Sequence, residues 1–433
     1  MPEWIERTWE GDPGAIGGRR SRATFRYRSF VPDRLAAIEL AVSFDTADLA
    51  ADAETAIRAL NARASIEGLE AIGPLLLRSE AVASSRIEGY RVSSLNLARA
   101  LVDPRVARGS ARIVAANVSA MQEAISIGDR PRAISVGDLL AIHATLMAGD
   151  ERAQPGRIRQ EQNWIGGRLD NPSDARYVPP PEDRVESLLE DLAAFIDRDD
   201  LPAVAQAAIA HAQFESIHPF VDGNGRVGRC LIHVILRRRG VASAFVPPVS
   251  IVLAARPDAY VGGLIAFREG RVADWISSFS AAARIAAGAS ADLADRIGAL
   301  QASWTQRAGR PRSGSAAGKL ISLLPAMPVL SAPTARIAIA TSQQRTLSAL
   351  KALTDAGVLR QISGGTYDCQ FAATELFNLV TAFEADVIGR GNPARRETAI
   401  FETLQRYGAS MASDAGVRDE DDVDDLVRES RRG

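Results

Sequence analysis

The chain has 433 residues, 46% of them hydrophobic and 24% charged, with a formal net charge of −2. That length calls for about two or three domains, and the composition excludes wholesale disorder. The near-neutral balance excludes a chain-wide basic field for nucleic acid, and two cysteines, Cys230 and Cys369, exclude a disulfide framework or a cysteine-rich zinc site.

The opening stretch, MPEWIERTWEGDPGAIGGRRSR, lacks the charged, apolar, small-residue order of a signal peptide. No run reaches the roughly 18 apolar residues that a membrane helix needs. A cytoplasmic protein without membrane contact is the expectation. The first thirty residues, with their Gly and Arg clusters, read as a surface wrap. From PDRLAAIELAVSFDTADLAADAETAIRALNARAS onward, apolar residues recur at helical spacing, and helical patterns dominate to about residue 300. Within them, SSRIEGY places Ser84, then Glu88 four positions on, then Gly89. Alone, the stretch reads equally as a helix cap, a solvated turn or part of an active site. Residues 155–181 break every run with Gly, Asn and Pro, and read as a loop with a short hairpin formed by NWIGG and ARYV.

Residues 305–319, TQRAGRPRSGSAAGK, read as a linker. SGSAAGKL is not a phosphate-binding P-loop: the first glycine is missing, Leu320 follows the lysine, and no strand precedes it. Beyond it, a short helix, a turn near Thr341, a helix ending at Gly357, and the β-like runs VLRQI and TYDCQF give the outline of a winged helix. The tail RDEDDVDDLVRESRR reads as solvated.

Chemistry concentrates in IHPFVDGNGRVGR, Ile217 to Arg229, between two helical runs. Gly223, Asn224 and Gly225 open the second helix, where unpaired N–H groups and the helix dipole make an anion site suited to phosphate. Arg226 and Arg229 share a face near the start of that helix and can both address phosphate oxygens. Asp222 is a hard ligand beside the cradle and suits Mg²⁺. His218 can take a proton from an incoming hydroxyl. Together these describe a phosphoryl- or nucleotidyl-transfer site.

The string resembles the Fic family signature HxFx(D/E)GNGRxxR, with every fixed position present from His218 and Phe220 to Arg229. The resemblance covers roughly residues 80 to 250, GRIRQEQNWIGG and ARYVPPP included. It implies a mainly α fold, a Fic-type helical core with a β-hairpin flap, to which the C-terminal winged helix is appended. It also implies AMP transfer from ATP to a Ser, Thr or Tyr hydroxyl of a target protein. On this resemblance His218 is the general base and Asp222 the Mg²⁺ ligand. Gly223, Asn224 and Gly225 hold phosphates, with the Asn224 side chain on the α-phosphate; Arg226 takes the β-phosphate region and Arg229 the γ-phosphate. The flap, with Ile165, Gly166, Tyr177 and Val178, would pair with the target backbone. Ser84, Glu88 and Gly89 match the family's inhibitory motif (S/T)xxxE(G/N), so that Glu88 would pair with Arg229 and exclude the γ-phosphate.

The expected layout is an N-terminal helical region over 1–105 with an inhibitory helix at about 80–95, then a catalytic core over 106–300. A linker at 301–320, a winged helix at 321–385, and a C-terminal helix and charged tail at 386–433 complete it. His143 and His211 read as packed helix residues; His233 reads as a neighbour supporting the site or as a core histidine, the latter favoured. Expected partners are ATP, Mg²⁺ and a target protein, which can be the chain itself, with a homodimer and DNA contact through the winged helix as further options. Rival readings keep the site but change the chemistry to AMP removal or to transfer of UMP, phosphocholine or phosphate. A transcriptional regulator with a nucleotide-sensing core is the rival of another class.

Overall fold

In EWIERTW and FRYRSFV, exposed residues alternate with inward ones, the two-residue period of a strand. The computed structural model, which describes residues 2–391 apart from 12, 13, 15–18, 40, 41, 68, 169 and 363–368, pairs the two stretches. Strands β1 (Glu3–Trp9) and β2 (Phe25–Val31) run antiparallel, with Trp4 opposite Phe30; a single turn, α1 (Arg19–Arg22), lies between them. The expected irregular wrap is thus an ordered hairpin. It is fastened to the body by the Phe30 N–H, which donates to the Val178 carbonyl at 2.9 Å, and by Arg7, which pairs with Glu182 at 2.9 Å.

The body is helical. In order come α2 (Phe44–Glu67), α3 (Gly73–Ile87), α4 (Ser94–Val102), α5 (Gly109–Gly128), α6 (Val136–Leu146), α7 (Glu182–Ile196), α8 (Ala203–Ile217) and α9 (Asn224–Arg238). Next come α10 (Val249–Ala255), α11 (Pro257–Arg268) and the long α12 (Val272–Arg307). Local chemistry sets several starts: Ser93 caps α4, and Ser135 with Asp138 forms a capping box on α6. Every residue of α8 is buried, and its alanines let neighbouring backbones approach. The expected inhibitory helix over 80–95 is corrected. Helix α3 ends at Ile87, Gly89 turns the chain at φ +86°, and α4 starts at Ser94. A left-handed glycine just past its end is an ordinary stop signal for a helix.

The expected linker over 301–320 shrinks to residues 308–315, between α12 and α13 (Ala316–Leu323). Helix α12 persists because Trp304 is fully buried and its Nε1–H donates to Glu375 at 2.7 Å. After α13 come β3 (Val329–Ser331), α14 (Ala332–Ala338), α15 (Gln343–Asp355), β4 (Arg360–Gln361), β5 (Gln370–Ala372) and α16 (Thr374–Gly391). The three strands form an antiparallel sheet in the order β3–β5–β4. One hydrophobic cluster runs from Leu35 through to Val387, so this C-terminal module shares the core of the body. Of the tail expected over 386–433, residues 392–433 lie outside the described residues. Among the described residues no single helix is long and apolar enough to cross a membrane.

Candidate active site

Helix α8 ends at His218, a non-glycine residue at φ +48°, ψ +61° whose N–H still bonds the Phe214 carbonyl at 2.9 Å. The loop then turns through Gly223, at φ +83°, into α9. Asn224 ties the loop: its Oδ1 accepts the Phe220 N–H at 2.8 Å, and its Nδ2 donates to the Phe220 carbonyl at 2.9 Å. The role expected for that side chain, on the α-phosphate, is corrected, since both of its polar atoms are committed to the loop.

Phe220 is buried and stacked on His143, with ring centroids 3.7 Å apart and planes 3° from parallel. His143 Nδ1 accepts the Gly156 N–H at 3.0 Å, so its Nε2–H faces the Asp222 carbonyl at 3.1 Å. Burial pushes the ring down to about 4, which keeps it neutral as this bonding requires. His143 is therefore more than the packed residue read from LLAIHATLM; it holds the loop in shape.

Arg229 is buried and almost encircled. Its Nε–H donates to Ser84 Oγ at 2.8 Å, and Nη2 donates to the Ser84 carbonyl at 2.9 Å and to Glu88 Oε1 at 2.7 Å. Nη1 reaches the Tyr260 hydroxyl at 3.4 Å. Burial opposes both charges, but each partner overrides it for the other, raising Arg229 and lowering Glu88. A Cβ added at Gly225 would lie 2.1 Å from Glu88 Oε1, so the carboxylate rests directly on the first turn of α9. An anion thus already sits where the positive end of the helix attracts one. Ser84, buried in mid-helix, serves Arg229 and caps nothing.

Arg226 is buried with its guanidinium 5.2 Å from the Tyr90 ring centroid and 3.6 Å from Asp222 Oδ2. Asp222 keeps 55% of its side chain exposed, while its Oδ1 accepts the Gly223 N–H at 2.6 Å. His218 is a neutral base: burial, helped by Arg159, pushes its ring down to about 4. Its carbonyl accepts from Arg159 Nε at 3.0 Å and from Asn163 Nδ2 at 3.4 Å.

The flap is a minimal hairpin, with the Ile165 N–H donating to the Tyr177 carbonyl at 2.8 Å and the Arg176 N–H to the Ile165 carbonyl at 2.9 Å. Gly167, at φ +77°, makes the turn possible, because a Cβ there would lie 2.3 Å from the Asp174 carbonyl oxygen. Two of the four expected docking residues face inward. The Tyr177 hydroxyl donates to the Ser216 carbonyl at 2.6 Å, and the Val178 carbonyl is taken by β2. Gly166 is exposed and Ile165 half-buried, which leaves the first arm of the hairpin as the open edge.

Residues 133–236 match the Fic/DOC family. The chain is similar to a "Protein adenylyltransferase Fic" from Nematostella vectensis, with 31% identity over 186 residues, 41% of this chain and 40% of the relative. It is also similar to "Protein adenylyltransferase fic-1" from Caenorhabditis elegans, with 30% identity over 130 residues, 29% of this chain and 23% of the relative. The matches thus span less than half of these curated relatives. Among solved structures, a Fic family protein from Desulfovibrio desulfuricans G20 aligns over 77% of this chain and 97% of its own, with 22% identity and a TM-score of 0.48. The matched stretch, residues 133–236, holds the loop from His218 to Arg229, and over it the chain is similar to the Fic/DOC family.

Proposed function

We propose that the chain is a protein adenylyltransferase held inactive at rest by its own Glu88. One observation carries this reading. A carboxylate from residue 88 lies on the anion-binding turn of α9 and takes Arg229, the cation placed for the far end of a triphosphate. The names of the matched relatives support the same activity.

In the open state, the N–H groups of Asn224 and Gly225 would hold phosphate oxygens, the Gly223 N–H being held by Asp222 Oδ1 at 2.6 Å, with Arg226 and Arg229 on the more distal phosphates. His218 would accept the proton of a protein hydroxyl as that oxygen attacks the α-phosphorus and pyrophosphate leaves. The open edge at Ile165 and Gly166 would line up the acceptor segment. Asp222 fits Mg²⁺ by its donor chemistry, being one exposed carboxylate beside a phosphate cradle, and the metal when bound would offset phosphate charge. The order α13–β3–α14–α15–β4–β5 supports reading the C-terminal module as a winged helix. Its α15 carries Arg345 and Lys351, the latter paired with Asp355 at 2.7 Å, a sparse charge that favours protein docking over duplex DNA.

Incubation with α-labelled ATP tests the reading. The native chain is expected to label itself weakly and Glu88→Gly on the order of tenfold more strongly, a gain typical of restored positioning. His218→Ala should be silent. A Glu88→Gly protein as silent as His218→Ala would overturn autoinhibition, and label arriving from γ-labelled ATP alone would make the enzyme a phosphotransferase.

A further inference from the structure

We propose that Glu215 is the positioning residue of His218, accepting the Nδ1–H of its ring so that Nε2 is left bare toward the acceptor hydroxyl. The inference rests on the adenylyltransferase reading for its kinetics, but its geometry stands on the fold.

The backbone of His218 is tied on both sides. Its N–H bonds Phe214, and its carbonyl takes Arg159 and Asn163, in a left-handed conformation that a non-glycine residue adopts only when its surroundings impose it. None of these contacts orients the ring. Nδ1 is buried and makes no well-aligned hydrogen bond; the Glu215 backbone carbonyl lies near enough to favour the protonated ring, and the nearest carboxylate oxygen is Glu215 Oε2 at 4.0 Å, one turn back on α8. The carboxyl group of Glu215 is itself nearly buried, and its Oε1 has no partner either. A carboxyl group left unpaired inside a protein is costly, and an orphan of this kind needs a reason.

The fold makes room for it. A Cβ at Gly228 would lie 2.9 Å from Glu215 Oε1 and 3.0 Å from His211 Nδ1, so the glycine admits both groups against α9. His211 keeps Nε2 on the Tyr260 hydroxyl at 2.9 Å, while its buried Nδ1 faces the same space at Gly228. Of the two rings, His218 is the one whose open nitrogen lies at ion-pair distance from Glu215, at 4.0 Å. In unliganded sites such contacts are commonly longer than in the reacting complex, and a small rotation of Glu215 closes this one.

The charges around the pair explain why its state matters. Arg229 on α9, Arg268 on α11 and Glu88 at the end of α3 face Glu215; Arg159 from the loop before the flap faces His218, with Arg268 and Glu88 shared. Burial pushes the Glu215 carboxyl up to about 7, with Arg229 and Arg268 pulling against it and Glu88 adding to it. As a carboxylate it fixes the tautomer of His218 and steadies the imidazolium formed when Nε2 takes the hydroxyl proton, the logic of an acid–histidine pair. The Nδ1 proton stays on the ring throughout.

Two measurements on the full chain test this. In the Glu88→Gly background, Glu215→Gln keeps the shape and removes the charge. It should lower kcat on the order of tenfold at an ATP KM within about twofold, because the loss falls on the chemical step. Glu215, raised to about 7, takes up its proton before His218 does at about 4, so the parent loses the paired carboxylate first. Glu215→Gln has no such group, and its acid limb should move to lower pH, toward the protonation of His218 itself. Separately, side-chain ¹⁵N NMR of the four histidines, with His218→Ala for identification, reads the tautomer without any turnover. Glu215→Leu, which offers no acceptor, should move His218 from the Nδ1–H toward the Nε2–H form. An unchanged kcat and acid limb, or a tautomer indifferent to Glu215→Leu in a protein that melts normally, would overturn the proposal. If Glu88→Gly transfers no AMP, the adenylyltransferase reading falls and the NMR result alone decides the pairing.

Discussion

On the proposed reading, the missing side chain of Gly225 serves both states of the site. Its bare Cα lets Glu88 lie against α9 in the resting chain, and the same space would receive a phosphate in the open one. A methyl group there meets Glu88 Oε1 at 2.1 Å and the buried Arg229 Nη1 at 3.0 Å. The carboxylate can swing aside but leaves the guanidinium without its counter-ion, so Gly225→Ala should still fold with a melting temperature lowered by a cost of roughly 1–3 kcal/mol. Displacing Glu88 this way should not activate, because the methyl also fills the cradle. AMP transfer is expected to stay at background, and adding Glu88→Gly should fail to restore it. Labelling with α-labelled ATP and a thermal melt check both halves; strong labelling by the double variant would mean that phosphate does not approach Gly225. This residue was legible from the sequence because all its partners in the motif are contiguous. His143 was not: its contacts lie at Gly156 and Asp222, the latter 79 positions away, and nothing in LLAIHATLM announces them. Asn224 failed for a related reason, since a side chain that looks free in a glycine-rich loop is consumed by the loop's own backbone.

At the scale of elements, the turn that carries Glu88 is held by its flanks. Glu80 of α3 accepts the Ser250 N–H at 2.8 Å at the start of α10. Arg78 donates to the Ala326 carbonyl at 2.8 Å and to the Pro325 carbonyl at 3.1 Å, and Arg86 pairs with Glu384 of α16 at 3.4 Å. On the other side of the turn, Ala98 of α4 packs with Val329, Ala372 and Phe377. Glu88 therefore leaves Arg229 more easily if α3 and α4 loosen from the C-terminal module. Arg86→Glu sets two carboxylates together in a partly buried place and should raise self-labelling by about two- to fivefold, in line with a pair worth roughly 1 kcal/mol. Adding Glu384→Arg restores opposite charges and should return labelling to the native level. If Arg86→Glu labels no better than native, α16 has no hold on the turn. Helix existence was readable from periodicity, but helix ends were not. Trp304 carries α12 into the expected linker, and a turn at Gly89 splits the expected inhibitory helix. The hairpin β1–β2 escaped notice because its strands are joined by fifteen residues with no short turn signal, and half its faces are charged.

Over the whole molecule, proton balance becomes the leading sensitivity, because three histidines are buried, His218 is largely so, and burial favours the neutral ring in each. Burial pushes His143, His218 and His233 down to about 4 and His211 down to about 3, while unfolding returns each to about 6.5. Between those values the unfolded chain binds protons that the folded chain refuses, so stability is lost as pH falls. Glu80 and Glu215 act the other way. Burial raises both to about 7 in the fold, so each takes up a proton there before it would in the unfolded chain. Two carboxyl groups roughly balance the histidines near pH 7, where the unfolded histidines are still mostly neutral. Lower down, four histidines outweigh them. The melting temperature should therefore be nearly flat around pH 7 and decline steadily from about 6.5 to 4. His233 is buried and lies outside the constellation that Glu88 closes, so it serves as the probe. His233→Gln should make the decline shallower by removing one of the four contributions. Melts followed by circular dichroism at half-unit pH steps give the curve; a melting temperature still flat at pH 5 would show that the buried rings admit protons without cost.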